Sequence, residues 1–266
     1  MEEEYRLRSF HANEAEVNMV SLPWRIVERD ALFRQVFEGY TELTVVDLYA
    51  NVGGDTLAFM AAALRAKRTT SILAVQHSAP EDDDAKQTRF QKLDQNVDQF
   101  YPRVDKYVSL GCFNQDVKFF MEHTLAKQDM RTADLLYMDP PWNLPEGYSL
   151  ANDHGTAANP SAPTLALVRK LEKEVFGPLF RIKYPPPRVV CIKAPTPFDQ
   201  FRVVLFKSSP YLRAYTLLGT LPIRNSKGSV CMYFHILITS DEDVPPPSNT
   251  QGGALDPTAT AFVPGQ

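Results

Sequence analysis

The chain has 266 residues, of which 44% are hydrophobic and 23% charged, and its formal net charge is -4. At this length one α/β domain with short extensions is expected rather than two domains. The acidic balance argues against a protein that coats nucleic acid non-specifically, although it is compatible with a local basic groove. No apolar run approaches the ~20 residues of a membrane span, and the N-terminal MEEEYRLRSF is too acidic for a signal peptide, so no membrane partner is expected.

The cysteines Cys112, Cys191 and Cys231 lie far apart in apolar segments. This pattern predicts reduced core thiols in an intracellular protein, nuclear or cytoplasmic, rather than a disulfide frame or a zinc site. The histidines show no ligand spacing either, so no metal is expected.

In chain order, residues 1–40 are predicted to form an N-terminal extension with a short helix at 29–37. Continuously apolar, β-branched runs then predict strands buried on both faces. The five predicted strands of this kind are 43–49, 71–76, 106–111, 133–138 and 189–194. Helical segments alternate with them, at 56–66, 82–100, 117–127, 164–176 and 199–206. Two last strands, 214–221 and 229–239, are joined by a hairpin turn at 223–228.

This alternation predicts an α/β fold, a Rossmann-like, doubly wound and mostly parallel seven-stranded sheet that ends in an antiparallel hairpin. The folded domain is assigned to residues 41–240. Residues 241–266 are rich in proline and polar residues and cannot bury enough apolar surface, so a disordered tail is expected. In doubly wound sheets ligands bind beside the carboxyl ends of the strands.

Two segments carry unusual residues at that edge. In DLYANVGGDT (47–56), Gly53 and Gly54 permit a tight turn and bring bare backbone and free helix N–H groups close to a ligand. In ADLLYMDPPW (133–142), a carboxylate, two prolines and an indole follow the fourth strand directly. Alone, each segment can be explained as a turn that ends a strand. Together, at one edge of the sheet, they indicate a binding site.

VVDLYANVGGDTLAF resembles the first motif of class I S-adenosylmethionine-dependent methyltransferases, and ADLLYMDPPW lies where that family carries its D/N/S-P-P-Y/F/W motif. VVCIKAPTPFDQF is similar to a later strand of the trimethylguanosine-synthase-like group, which methylates N2 of guanine in RNA caps. The resemblance covers 43–238 and implies that residues 41–240 are a methyltransferase domain.

The resemblance implies a catalytic role for the DPPW segment. An exocyclic amine is a poor nucleophile, so it has to be aligned with the methyl donor while its hydrogens are accepted. The Asp139 carboxylate and the Pro140 carbonyl would be the acceptors, aimed at charge that develops in the transition state. Pro140 and Pro141 would make this geometry rigid, because each ring fixes φ. Trp142 would stack on the target base.

The resemblance also implies a site for S-adenosyl-L-methionine. Asp47 matches the acid that orients the turn and contacts the methionine part, and its alternative role is to stabilise the turn only. The full set of expected cofactor contacts is Asp47, Tyr49, Asn51, Gly53, Gly54, Gln76 and Asn114.

Three positions depart from the family pattern or leave it open. Asn51 stands where the family has glycine, and asparagine tolerates positive φ best after glycine. Gln76 stands where an acid grips the ribose hydroxyls, and it loses a charge-assisted bond. Glu81 or Asp82 are alternatives from the next turn. For the adenine contact, Asn114 and Asp116 both stay open.

The expected function is therefore S-adenosylmethionine-dependent N-methylation of an exocyclic amine on a nucleic-acid base, with RNA as the preferred partner and cap guanine N2 as the preferred target. Adenine N6 or guanine N2 in DNA or structural RNA stays open. The alternative is a catalytically silent nucleic-acid-binding or assembly subunit on the same fold. The loop 143–161, with Tyr148 and His154, is the expected lid or guide for nucleic acid, and a protein partner is a second source of basic surface. A nicotinamide enzyme is disfavoured, because VGGDT replaces Gly-x-Gly-x-x-Gly.

Overall fold

A computed structural model gives the fold. It describes residues 12, 37, 40–78, 87–100, 106–125, 133–140, 172–178, 187–194, 215–224 and 230–239. Strands β1 to β7 are Glu42–Asp47, Thr69–Val75, Val108–Phe113, Leu135–Met138, Val189–Ala194, Tyr215–Arg224 and Val230–Thr239. Helices α1 and α2 are Gly54–Ala66 and Arg89–Phe100. Helix α3 begins as Val117–Phe119 and continues as a π-helical turn, Phe120–Thr124, and a second π-helical turn is Glu172–Phe176.

The strands form one seven-stranded sheet in the order β3-β2-β1-β4-β5-β7-β6. Neighbouring strands among β1 to β5 pair in parallel, whereas β7 is antiparallel to both β5 and β6. The predicted mostly parallel sheet with an antiparallel hairpin at its end is confirmed. The chain order reverses between β1 and β4, so the crevice for a ligand is expected beyond the ends of these two strands.

Both faces of the central sheet are covered, which is why β4 and β5 are buried at every position. One core cluster includes Val46 and Val190, and the cluster on the other face includes Phe59 of α1 and Tyr137 of β4. The Phe59 and Tyr137 rings meet edge to face with centroids 5.0 Å apart. Burial of side chains of this size contributes about 1.5–3 kcal/mol each. This packing fixes α1 over β4 and brings the start of α1 to the carboxyl edge.

The predicted start of the second helix is wrong. Residue 88 is not helical, and α2 begins at Arg89. The reason is a capping box, in which the Gln91 N–H donates to Thr88 Oγ1 at 3.2 Å and the Thr88 N–H donates to Gln91 Oε1 at 2.9 Å. A helix over 82–100 would have Asp82, Asp83 and Asp84 in its first turn, whereas the first turn of α2 has no acidic residue.

Other bounds differ by about two residues, which is the usual uncertainty of element ends. Helix α1 begins at Gly54 rather than at residue 56, and β3 begins at Val108 rather than at residue 106. Strand β4 begins at Leu135 rather than at residue 133. Strand β6 runs on to Arg224, into the predicted turn.

Several predicted features lie outside the described residues. They are the helices at 29–37 and 199–206, apart from the buried Phe37, the loop 143–161, the tail 241–266 and the side chain of Cys231. Among the described cysteines, Cys191 is buried and Cys112 half-buried. None of the helices in the described ranges combines the length and the apolar character needed to cross a membrane.

Candidate active site at the carboxyl edge of the sheet

Hydrogen bonds from a side chain and from the backbone hold the turn after β1 against α1, β2 and β4. Asp47, the last residue of β1, is completely buried, and its Oδ2 accepts a hydrogen bond from Thr56 Oγ1 of α1 at 2.7 Å. The Leu48 N–H donates to the Tyr137 carbonyl and the Ala50 N–H to the Val75 carbonyl, both at 3.0 Å. This geometry favours the turn-stabilising role of Asp47. Its contact with a cofactor stays a prediction.

The glycine-rich loop has two residues in the left-handed region, Asn51 at φ 52° and Gly53 at φ 97°. Asn51 therefore adopts the backbone conformation that its family position requires. At Gly53 a Cβ atom would lie 2.9 Å from Leu93 Cδ1 of α2, so a larger residue would also require the end of the Leu93 side chain to shift. Gly54 is buried at the start of α1, and Tyr49 is half-buried against the core.

Gln76 follows β2 directly and binds its own chain at both ends of its carboxamide. Its Oε1 accepts the Asn51 N–H at 2.7 Å, and its Nε2 donates to the His77 carbonyl at 2.6 Å. Asn51 Oδ1, in contrast, is buried and has no hydrogen-bond partner in the part of the chain that the structure describes. Gln76 thus connects the loop after β2 to the loop after β1 by a hydrogen bond. The buried acceptor atom Asn51 Oδ1 belongs to the same residue that Gln76 binds.

Asn114 lies at the same edge, after β3. Its Oδ1 accepts the Ser78 N–H at 3.2 Å, while the Gln76 N–H donates to the Phe113 carbonyl at 3.0 Å. Asp116, the other residue considered for the adenine contact, caps α3, because its Oδ1 accepts the Phe119 N–H at 3.1 Å. Each of the two side chains thus already accepts a backbone N–H, and the choice between them for the adenine contact stays open.

Asp139 and Pro140 follow β4, with Asp139 half-buried and Pro140 buried, whereas Pro141 and Trp142 lie outside the described residues. Parallel pairing of Met138 with Ile192 makes Asp139 and Lys193 of β5 the next neighbours in register. Lys193 Nζ donates to Asp139 Oδ2. The same nitrogen lies 3.3 Å from Oδ2 of Asp55, in the first turn of α1. The two sequence motifs therefore meet on one ammonium group.

This cluster of Asp55, Asp139 and Lys193 is largely buried and carries a formal charge of -1. The Lys193 side chain is 4% exposed, and the Asp55 and Asp139 side chains are 9% and 16% exposed. Loss of one partner from a buried ion pair typically costs about 3–5 kcal/mol, because the remaining charge is left uncompensated. The negative balance suits a small cationic group in a ligand.

Lys193 and Asp55 are site residues that the sequence motifs did not identify. Lysine is almost never fully buried unless it is paired, so the lysine inside the apolar run VVCIKA indicates a buried ion pair. Its partner could not be predicted from the sequence, because the pairing depends on β4 and β5 being neighbours. Within the described ranges, no group of three or more His, Cys, Asp or Glu residues is placed to hold a metal ion.

Among solved structures, this chain is similar to a candidate class I S-adenosylmethionine-dependent methyltransferase from Listeria monocytogenes. The TM-score is 0.51 and the identity 12%, over 90% of this chain and 66% of that protein, so the chain spans just under two thirds of it. The chain has the class I methyltransferase fold.

Two further structures fall below a TM-score of 0.5, and no function is taken from them. A candidate RNA methyltransferase from Pyrococcus horikoshii gives 0.42 at 14% identity, over 86% of this chain and 91% of that one. The Mettl16 catalytic domain in complex with a MAT2A 3'UTR hairpin gives 0.44 at 12% identity, over 83% and 72%. No family model matches the sequence, and no curated protein matches it at a significant level.

Proposed function

We propose that the protein is an S-adenosylmethionine-dependent N-methyltransferase that acts on an exocyclic amine of a nucleic-acid base, with RNA as the first substrate class and cap guanine N2 as the first target. The observation that carries the proposal is the convergence of the two motifs. Asp55, next to the glycine pair, and Asp139, at the start of DPPW, bind one lysine. A donor on the glycine loop and an amine on Asp139 would therefore be neighbours.

Asp139 and Pro140 hold the amine in this proposal. Lys193 binds Asp139 Oδ2, and the amine N–H would be directed to the Asp139 carboxylate and to the Pro140 carbonyl. Both acceptors are fixed before the substrate arrives, one by the ion pair and the other by the proline ring. Preorganised acceptors of this kind stabilise positive charge on the nitrogen without reorganisation. Trp142 would add a stacking face, worth about 1–3 kcal/mol per base.

The residues present fit the methionine end of the cofactor better than its ribose end. The buried Asn51 Oδ1 needs a donor, and an α-ammonium or hydroxyl group of a ligand would supply one. Asp47 holds the loop in shape by its bond to Thr56. When bound, S-adenosylmethionine would supply an electrophilic methyl group. At the ribose end, Gln76 offers a carboxamide that already binds Asn51 and His77, where the family has a free carboxylate.

Substrate choice rests on the DPPW resemblance. An aspartate in the first position of the motif, rather than the serine often found in cap enzymes, keeps adenine N6 and guanine N2 of other nucleic acids as competing targets. The acidic chain also makes a partner protein a candidate source of basic surface. The family pattern favours RNA.

A second function is favoured by one observation. Both polar atoms of the Gln76 carboxamide are bound within the chain, and this position lacks the family's charge. A protein that had lost cofactor binding would tolerate this change, and it would act as a silent nucleic-acid-binding or assembly subunit. The intact DPPW segment argues for the enzyme.

The test is transfer of a radiolabelled methyl group from S-adenosylmethionine to a matched set of acceptors. The set contains capped RNA, the same RNA uncapped, and DNA of the same sequence, each as a second version in which inosine replaces guanine. Label on capped RNA that disappears with cap inosine supports guanine N2. Label that survives the replacement moves the target to adenine or cytosine, and no label on any acceptor refutes the proposed activity.

A further inference from the structure

Lys193 is a charged residue in the interior of the sheet. Every residue of β5 is buried, and Lys193 is 3% exposed. Its neighbour in β7 is Phe234, and the same face carries Cys191 and Ile236 in the apolar core. A position surrounded in this way favours an apolar side chain, because desolvation of an ammonium costs several kcal/mol in general. An ammonium group is retained there in contact with two carboxylates.

Those two carboxylates come from different parts of the fold. Asp55 belongs to α1 and Asp139 follows β4, and their Oδ2 atoms bind the same nitrogen. Two atoms that share one hydrogen-bond donor lie at most about 6 Å apart. At that separation, with little water, two carboxylates repel each other strongly unless a cation lies between them. Lys193 therefore places a positive charge between the carboxylates of Asp55 and Asp139.

We infer that Lys193 is a positioning residue, whose ammonium offsets the repulsion between Asp139 and Asp55 and holds Asp139 against the first turn of α1. The lysine does not touch the reacting atoms. It acts through Asp139, whose carboxylate accepts the amine hydrogen in the proposed reaction. The inference rests on the proposed function for its catalytic consequence, but its electrostatic part concerns the free protein alone.

The neighbouring titratable groups do not offer the same compensation. On the same face are Asp47 at the end of β1, Tyr137 of β4 and Cys191 of β5, none of which is a cation. The nearest described histidine on a pairing strand is His235 of β7, which pairs with Ile192 and so points to the opposite face from Lys193. Lys193 is the described cation in contact with Asp139.

The first arm of the test measures thermal unfolding without any ligand, from about pH 5 to about pH 8. The proteins are the wild type, Lys193→Met, Lys193→Arg, the double variant Lys193→Met with Asp139→Asn, and Lys173→Met as a control at an exposed lysine. In Lys193→Met the facing carboxylates retain a proton in the folded state to higher pH than in the unfolded chain. Its melting temperature therefore falls further below the wild type as pH rises.

Two comparisons decide the first arm. Removal of one carboxylate in the double variant should abolish the extra pH dependence, and Lys193→Arg should show little of it. If Lys193 only fills space, the deficit of Lys193→Met is the same at every pH and the double variant is no better. That result would overturn the inference. The double variant also serves if Lys193→Met alone does not fold, since it lacks one of the two facing charges.

The second arm measures the pH profile of methyl transfer with the best acceptor. At neutral pH, Lys193→Met should lower kcat by about 100-fold or more, as expected for loss of a preorganised electrostatic group. Its kcat should rise with pH as Asp139 loses its proton, and Lys193→Arg should restore the wild-type profile. An unchanged profile with a uniformly lower kcat would contradict the inference. Absence of activity in the wild type would refute the proposed function only, because the first arm still decides the role of Lys193.

Discussion

Asp55 and Asp139 share the ammonium group of Lys193, which joins the first turn of α1 to the segment that follows β4. The glycine pair precedes Asp55 and the prolines follow Asp139 in the chain. The ion pair therefore fixes the distance between the loop that would hold a methyl donor and the segment that would hold an amine.

Asp139→Asn should remove methyl transfer and spare cofactor binding. The amide keeps the shape of the carboxylate but loses its charge, and loss of one preorganised group costs about 100-fold to 1000-fold in kcat. Calorimetry should give a cofactor dissociation constant within about threefold of the wild type, since under 1 kcal/mol of binding energy is at stake. A parallel loss of affinity and rate would contradict the assigned role.

Gln76→Glu should tighten cofactor binding. The new carboxylate can still accept the Asn51 N–H and would offer a charged acceptor to ribose hydroxyls, while it gives up the bond to the His77 carbonyl. Charged hydrogen bonds are roughly twice as strong as neutral ones, so a gain of about fivefold in affinity is expected. Gln99→Glu is the matched control, because this exposed residue of α2 adds the same charge away from the loop. Equal gains in both variants would show a non-specific charge effect.

Gly53→Ala should destabilise the fold. Position 53 has φ 97°, and its Cβ would approach Leu93 Cδ1 to 2.9 Å. Backbone strain of this kind costs on the order of 1–3 kcal/mol, to which the steric overlap adds. Urea unfolding measures the loss, and the cost should be smaller when it is measured in a Leu93→Ala background. If Gly53→Ala lowers the free energy of unfolding equally in both backgrounds, the close contact with α2 does not contribute to the loss.

Asp134 should give the protein a measurable pH dependence. Burial raises the pKa of this carboxyl group above its ordinary value, although the Thr44 N–H donates to it and opposes the shift. A raised pKa in the folded state contributes stability that is full below the unfolded pKa and is lost as pH rises through the folded pKa. Asp134→Asn should therefore gain stability relative to the wild type as pH increases from about 4 to about 7.

The control for Asp134 is the exposed Asp98, whose change to asparagine should give no comparable slope. Urea unfolding at several pH values measures both variants. The idea fails if Asp134→Asn loses stability relative to the wild type as pH rises.

Trp142→Ala should weaken RNA affinity by about tenfold, within the range of 1–3 kcal/mol for one stacked base, while Trp142→Phe keeps most of it. Filter binding with the acceptor RNA measures both. Equal losses in the two variants would argue against stacking.

The strands could be predicted because the chain is continuously apolar where it is buried on both faces. Residues 189–194 were predicted as a strand, and β5 is Val189–Ala194. The start of α2 could not be predicted from the aspartates at 82–84, because the local bonds between Thr88 and Gln91 define the first turn. Local side-chain geometry therefore decided a boundary that charge patterning did not.

The sequence predicts that the two motifs lie at one edge of the sheet, but it does not predict the contacts between their residues. Asp139 and Gly53 were assigned to one edge of the sheet from the position of each motif after a strand. The roles of Lys193 and of the tie between Gln76 and Asn51 depend on which strand lies beside which. The order of the strands arises from tertiary packing and cannot be predicted from any one segment of the sequence.

The most direct test of the account is a calorimetric titration of the wild-type chain with S-adenosylmethionine, because a working donor site has to bind it. The account predicts one saturable site per chain with a dissociation constant on the order of 1–100 µM, within the usual range for enzyme substrates. Absence of saturable binding at millimolar S-adenosylmethionine would contradict the proposed donor site.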